Sequence, residues 1–292
     1  MKLTSPSQVR ELLGAIGVQP SSALGQCFLI DGNIRDLIVA AACPGPGDVV
    51  LEVGPGLGVL TEVLIRKADR VIAVEKDGRL SDYLRQRFDG VPSLRIVHSD
   101  YLDLDPGFIA AEGVTRIVSN LPYSVGSRIL MDAFALPEPP QAITVTVQSE
   151  VAERLAAAPG EAEWGLLSVW AQRVYAVEIL KGVSAACFSP RPKVRSAIVQ
   201  MTRREAADRA LADPLLFQGL TRAAFAFRRK QLGAILHRIA GSLGVRSDAA
   251  LAALAGLGIE ARTRPERLSV DDWRRLTDRL SKIRGRPAEG VS

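Results

Sequence analysis

Short apolar runs alternate with amphipathic helical stretches through the first half of this 292-residue chain. Val49-Val50-Leu51-Glu52-Val53 has the length and composition of a buried strand, as do 70–74, 94–98, 117–118 and 143–147. Between and after them, 59–66, 79–88, 128–134 and 150–157 read as helices. Upstream, 7–16 is a short amphipathic helix, and Asp31 is placed to cap a helix that runs to Ala42 and is ended by Pro44-Gly45-Pro46-Gly47. This alternation predicts an α/β fold with a doubly wound parallel sheet, whose ligands bind beyond the carboxyl ends of the strands. A looser stretch at 159–164 leads to a helical pattern at 166–173 and two β-rich runs, 176–180 and 196–202. After Arg203 the β pattern stops, and 214–227, 230–239, 248–257 and 270–283 are helical. Two domains are expected, 1–202 and a small α-helical one at 203–292, with a frayed tail from residue 285.

Composition adds limits. With 47% apolar and 24% charged residues the chain has the makeup of a soluble globular protein. No apolar run approaches the ~20 residues of a membrane span, and Met1-Lys2-Leu3-Thr4-Ser5-Pro6 lacks a signal-peptide core, so a cytoplasmic location away from membranes is expected. Cys27, Cys43 and Cys187 are far apart, and with His98 and His237 the only histidines, no metal is expected; His98 reads as a packing residue at a strand end. The net charge of +5 is uneven: residues 1–202 carry −3 and residues 203–292 carry +8. Clustered Arg suits a phosphate backbone, although a solvated helical surface balanced by local acids reads the same way.

Candidate chemistry sits at the strand ends. Leu51-Glu52-Val53-Gly54-Pro55-Gly56-Leu57-Gly58 follows a strand, so its glycines allow a tight turn and a close ligand. It fails G-x-G-x-x-G in both registers and carries no Lys or Arg. Glu75, after the second strand, suits ribose hydroxyls, and Asp100, after the third, suits an adenine amine, though Asp100 also fits a plain turn cap. The set suits an adenosine ligand without a pyrophosphate, such as S-adenosylmethionine. After the fourth strand comes Asn120-Leu121-Pro122-Tyr123. An aromatic amine is a poor nucleophile because its lone pair is delocalised. Two acceptors on its N–H bonds, the Asn120 side-chain oxygen and the Leu121 carbonyl, would draw that pair out, with Tyr123 as a ring face for an unstacked base. An ordinary Asn/Pro turn is the other reading of these residues.

These motifs resemble those of the ribosomal RNA adenine N6,N6-dimethyltransferases of the KsgA type, relatives of the erythromycin-resistance methyltransferases. The resemblance runs from about Leu24 to Ile283. Leu24-Gly25-Gln26-Cys27-Phe28-Leu29 is similar to the family's F-G-Q-N-F-L, Glu52 to Gly58 to its E-x-G-P-G-x-G, and Asn120 to Tyr123 to its N-L-P-Y. Phe188-Ser189-Pro190-Arg191-Pro192-Lys193-Val194-Arg195-Ser196 resembles F-x-P-x-P-K-V-x-S, and Phe227-Arg228-Arg229-Lys230 resembles the basic segment of the helical domain. The resemblance implies a Rossmann-like, seven-stranded class I methyltransferase sheet with a small α-helical C-terminal domain. It also implies S-adenosylmethionine-dependent dimethylation of two adjacent adenosines near the 3′ end of small-subunit (16S) rRNA, coupled to maturation of that subunit. It assigns Gln26, Cys27, Leu29, Glu52, Gly54, Gly56, Glu75, Asp100, Tyr101 and Asn120 to the cofactor. Asn120, Leu121, Pro122, Tyr123 and Phe188 fall to the target base, and Arg191, Lys193, Arg195, Arg222, Arg228, Arg229 and Lys230 to RNA. Read by itself, Phe188 fits a core position as well as a stacking one.

Some residues depart from the family pattern. Cys27 stands where the family has Asn, which predicts weaker cofactor binding. Leu166 replaces the usual Arg of a G-R-L-S segment, and Ser21-Ser22-Ala23 lacks basic residues. Large-subunit (23S) rRNA methylation shares the catalytic motifs, but the F-x-x-R-R-K segment from Phe225 to Lys230 and the long helical domain favour the small subunit. An RNA-binding assembly factor with weak or lost catalysis is the alternative of another class. DNA adenine methylation fits less well, since those enzymes more often start the four-residue motif with Asp. With no heptad run, a monomer is expected, partnered by small-subunit rRNA within the immature subunit.

Overall fold

The computed structural model describes residues 6–20 and 25–284. Ser21-Ser22-Ala23, Leu24 and the tail from residue 285 lie outside the described residues. Seven strands form one sheet: β1 (Val49–Val53), β2 (Arg70–Glu75), β3 (Leu94–His98), β4 (Arg116–Asn120), β5 (Ala142–Gln148), β6 (Tyr175–Val183) and β7 (Ser196–Arg203). Their order is β3-β2-β1-β4-β5-β7-β6. From β3 to β5 neighbours pair in parallel, as the alternating pattern predicts. The last strand, β7, pairs antiparallel with both β5 and β6, so the seven-stranded sheet is mixed at that edge. A parallel return needs a crossover, usually helical. The segment 184–195 holds only a 3-10 turn, Ala185–Cys187, and the two-residue strand Phe188–Ser189, so the chain turns straight back.

Phe28–Leu29 pairs antiparallel with Phe188–Ser189, placing Leu29 opposite Phe188. The sequence reading has no counterpart to this small sheet.

Helix starts follow local chemistry. Asp31 Oδ1 accepts from the backbone N–H of Asn33 and Ile34 at 2.9 and 3.0 Å, capping Gly32–Ala42. Asp77 does the same for Gly78–Arg87. Helix 59–66 shrinks to Thr61–Leu64, because turns continue from the glycine loop to Leu60. Ile34, Ile38, Val39 and Ala42 bury with Val50, Val71, Val118 and Ile198 of the sheet. Each Ile or Val side chain so buried contributes about 1.5–3 kcal/mol before the cost of ordering it.

The chain divides into two units, 1–153 with 175–203, and 154–174 with 204–292. The boundary expected near 203 is joined by another division: helix Leu166–Val174, expected in the first domain, groups with the helical unit. Its burial pattern explains why, since Leu167, Val169, Trp170 and Ala171 are all buried and Trp170 Nε1 donates to Thr221 Oγ1 at 3.0 Å. Helices Pro214–Ala226, Leu232–Ile239, Ser247–Ala255 and Val270–Arg284 complete that unit around Phe217, Leu236, Leu254, Trp273 and Leu276.

Candidate functional site

Strand register decides which side chains meet beyond the sheet. Val50 pairs with Val71 on one side and Arg116 on the other. Because side chains alternate along a strand, Glu52, Glu75 and Asn120 therefore share one face at the strand ends. Together with Asp100, Tyr101, the loop Gly54-Pro55-Gly56 and the segment Gln26-Cys27-Phe28-Leu29, they line a cavity of about 210 Å³.

The loop conformation requires glycine. Gly54 has φ +70, and a Cβ there would lie 3.0 Å from Pro122 Cγ. Gly56 has φ +58 and would place a Cβ 2.9 Å from the Phe28 ring. Its N–H donates to Glu75 Oε2 at 3.0 Å, while Glu75 Oε1 accepts from Asp77 N at 2.9 Å. Glu75 thus ties the loop to the end of β2 and keeps lone pairs for a ligand. Burial pushes its carboxyl up from the ordinary range.

Glu52 is 2% exposed, and burial pushes its pKa up to about 8, with the nearby Glu75 charge adding to the effect. Thr61 Oγ1 donates to it at 2.6 Å. That shift favours the protonated carboxyl, which can donate one hydrogen bond as well as accept. Asp100 does cap the turn Tyr101–Asp103, with Leu102 N donating to Oδ1 at 3.0 Å, and it also lines the cavity. The Lys76 ammonium donates to Asp100 Oδ2 and holds its carboxyl below the usual range. Tyr101, beside it, has its phenol pushed well up by burial.

Asn120 Nδ2 donates to the backbone carbonyl of Cys27 at 2.9 Å. A carbonyl only accepts, so this contact fixes which end of the amide faces it. The other end, Oδ1, is buried without a partner. Leu121 is buried, its N–H bonded to Thr146 O at 3.1 Å, and Val125 N and Gly126 N both donate to Pro122 O. A Cβ on Gly25 (φ +65) would meet the backbone nitrogens of Tyr123 and Ser124 at 2.9 Å, so the two motifs touch backbone to backbone. The half-buried Tyr123 shares a hydroxyl hydrogen bond with Ser196 Oγ, and burial pushes its phenol up to about 12. Cys27, half-buried on the cavity wall, has its thiol raised by burial.

Phe188 departs from the sandwich expected of it. It is 1% exposed, packed in the core with Phe28 and Leu29, and does not line the cavity. At that burial no free ring face is offered to a base in this conformation. His98, expected to pack at a strand end, ends β3 exposed.

Arg191, Lys193 and Arg195 are exposed on the connection between β6 and β7. In the helical unit Arg222 lies 4.4 Å over the Trp170 ring, Arg228 donates to Ala162 O at 3.1 Å, and Arg229 and Lys230 are exposed. Sequence reading missed Lys76, Thr61 and Ser196. Ser196 stands in a quoted motif, whereas nothing local pairs Lys76 with Asp100, 24 residues away.

The cavity lining carries Glu52, Glu75 and Asp100 against Lys76 as its cation. Paired acceptors at the strand ends, a partnerless amide oxygen and glycines that admit close approach fit an adenosyl ligand. They fit a pyrophosphate poorly. Among the described residues no group of three or more metal-ligating side chains is present, and no helix is long and apolar enough to cross a membrane.

Residues 18–282 match the family model for ribosomal RNA adenine dimethylase. Ribosomal RNA small subunit methyltransferase A of Shouchella clausii is 39% identical over 287 residues, covering 95% of each chain. Its counterpart in Chlamydia abortus is 38% identical over 96% of this chain and 99% of that one, and in Phenylobacterium zucineum 38% over 99% and 98%. A dimethyladenosine transferase from Plasmodium falciparum superposes with a TM-score of 0.75 at 24% identity, covering 88% of this chain and 98% of the other, a likeness of fold. The 23S rRNA methyltransferase ErmE gives 0.64 at 27% identity, covering 87% and 99%.

Proposed function

The chain belongs to the ribosomal RNA adenine dimethylase family, and from that premise we propose that it uses S-adenosylmethionine to dimethylate N6 of adenosines in small-subunit ribosomal RNA. The observation that carries the reading is Asn120 Oδ1, buried and unpartnered while the other end of the same amide is fixed on Cys27 O. A buried orphan acceptor costs about 1–3 kcal/mol unless a ligand supplies the donor. An adenine amine is such a donor, and the Leu121 carbonyl is the second acceptor for its other N–H.

Glu75 would hold the ribose hydroxyls, Asp100 the adenine amine, and Gln26, Cys27, Leu29 and the Gly54–Gly56 loop the rest of the cofactor. Bound S-adenosylmethionine supplies an electrophilic methyl on a sulfonium. The chain's own work is then alignment and hydrogen-bond acceptance. Asn120 and Leu121 orient the amine, and the Tyr123 ring supports the base. The proton of the attacked amine is acidic enough to pass to water, so no His or Lys base is required. Arg191, Lys193 and Arg195, with Arg222, Arg228, Arg229 and Lys230 of the helical unit, would grip RNA phosphates. Substrate RNA in the immature small subunit, with two adjacent adenosines near its 3′ end, is the form of target this reading expects.

Incubation with radiolabelled S-adenosylmethionine and either unmodified small subunits or large-subunit rRNA tests the reading. Dimethyladenosine in small-subunit RNA supports it. Label in large-subunit RNA replaces it with the resistance-type reaction, and RNA binding without label replaces it with an assembly factor.

A further inference from the structure

We infer that Ser196 is a positioning residue for the target base, acting by anchoring the Tyr123 ring to the start of β7. The inference rests on the proposed role of Tyr123 as the base support.

Ser196 is fully buried, and its hydroxyl forms a hydrogen bond with Tyr123 OH. Its backbone is held from both sides, opposite Gln148 on β5 and Val183 on β6. Ser149 N also donates to the carbonyl of the preceding Arg195 at 2.9 Å. Ser196 is therefore a fixed post. Tyr123 is not fixed in that way: it lies past the end of β4 in a turn and is only half-buried. An aromatic ring in a turn swings about two side-chain torsions, and a base stacked on it would follow. The hydroxyl bond removes that freedom while leaving ring surface available. A phenylalanine at 123 would stack as well but could not be held by its tip.

The same post ends the basic connection. Arg191, Lys193 and Arg195 are exposed within the six residues before Ser196. Phosphate contacts made there and the support for the base thus converge on one serine. Ser196 couples grip on the RNA backbone to placement of the amine before Asn120.

Ser196→Ala, Tyr123→Phe and the double variant are compared with the unaltered protein for methyl transfer to unmodified small subunits, with cofactor binding followed by calorimetry. Each single change is expected to lower kcat/KM for RNA about fivefold, the worth of one hydrogen bond. Cofactor affinity should not change, and the double variant should be no worse than either single one. Ser196→Thr, which keeps the hydroxyl, should restore most of the activity. Independent losses that multiply in the double variant, or a loss of cofactor affinity equal to that of kcat/KM, would show a purely structural serine and overturn the inference. If the unaltered protein itself leaves small-subunit RNA unlabelled, the proposed function fails instead, and the two failures are told apart.

Discussion

Asn120 and Cys27, 93 residues apart, are joined by a single hydrogen bond from the Asn120 side-chain nitrogen to the Cys27 backbone carbonyl. That contact holds the amide with its oxygen turned away and unpartnered. The backbone of residue 27, rather than its side chain, therefore orients the acceptor.

Asn120→Ala removes the acceptor, and turnover is expected to fall about a hundredfold or more, as when one preorganised hydrogen-bonding group is deleted from a reacting centre. Asn120→Asp should not rescue it, because a carboxylate oxygen would face the Cys27 carbonyl and repel it. Single-turnover methyl transfer with saturating cofactor measures both. Activity of the Asp variant near that of the unaltered protein would contradict the orientation described.

Cys27→Ala keeps the carbonyl and loses only the thiol, so methyl transfer should stay within about threefold of the original. Cys27→Asn adds polar groups on the cavity wall and should tighten cofactor binding several-fold by calorimetric titration. A large loss of transfer in the alanine variant would assign the role to the sulfur after all.

Glu52 makes stability depend on pH in a direction opposite to that of a salt-bridged carboxylate. Its pKa is raised from 4.5 to about 8, so between those values the folded chain keeps a proton that the unfolded chain has released. Raising the pH through this window therefore favours unfolding. The cost is on the order of a few kcal/mol and is complete above about pH 8. Glu52→Gln should flatten the fall of urea stability between pH 5 and pH 8. Glu75, also raised by burial, should leave a residual slope. Equal slopes in both proteins would show that Glu52 is ionised in the folded state.

Arg229 and Lys230 are exposed in the helical unit. Changing both to Ala should weaken RNA binding without altering cofactor affinity. The plot of log affinity against log salt should become shallower by about one per lost phosphate contact. Filter binding across a salt series reads this directly, and an unchanged slope would place the RNA elsewhere.

Much of the architecture could be read from the chain. The alternation of apolar runs with helical spacing located β1 to β5, and Asp31 marked a helix start that the structure caps as expected. Glu52, Glu75, Asp100 and Asn120 could each be placed at a strand end, because strand length and turn residues are local properties. The motifs also carried the family resemblance.

What the sequence by itself determined is thus the succession of strands and helices, the glycine loop and the residue types at the strand ends, all set by preferences acting over a few residues. Only the tertiary structure decided the rest. It turned β7 antiparallel, moved Leu166–Val174 to the helical unit, buried Phe188 opposite Leu29, raised the pKa of Glu52 and chose which end of the Asn120 amide faces Cys27. The physical reason is common to all five: each depends on a partner or on a loss of water that arises when distant segments pack, as Leu29 meets Phe188 and Cys27 meets Asn120.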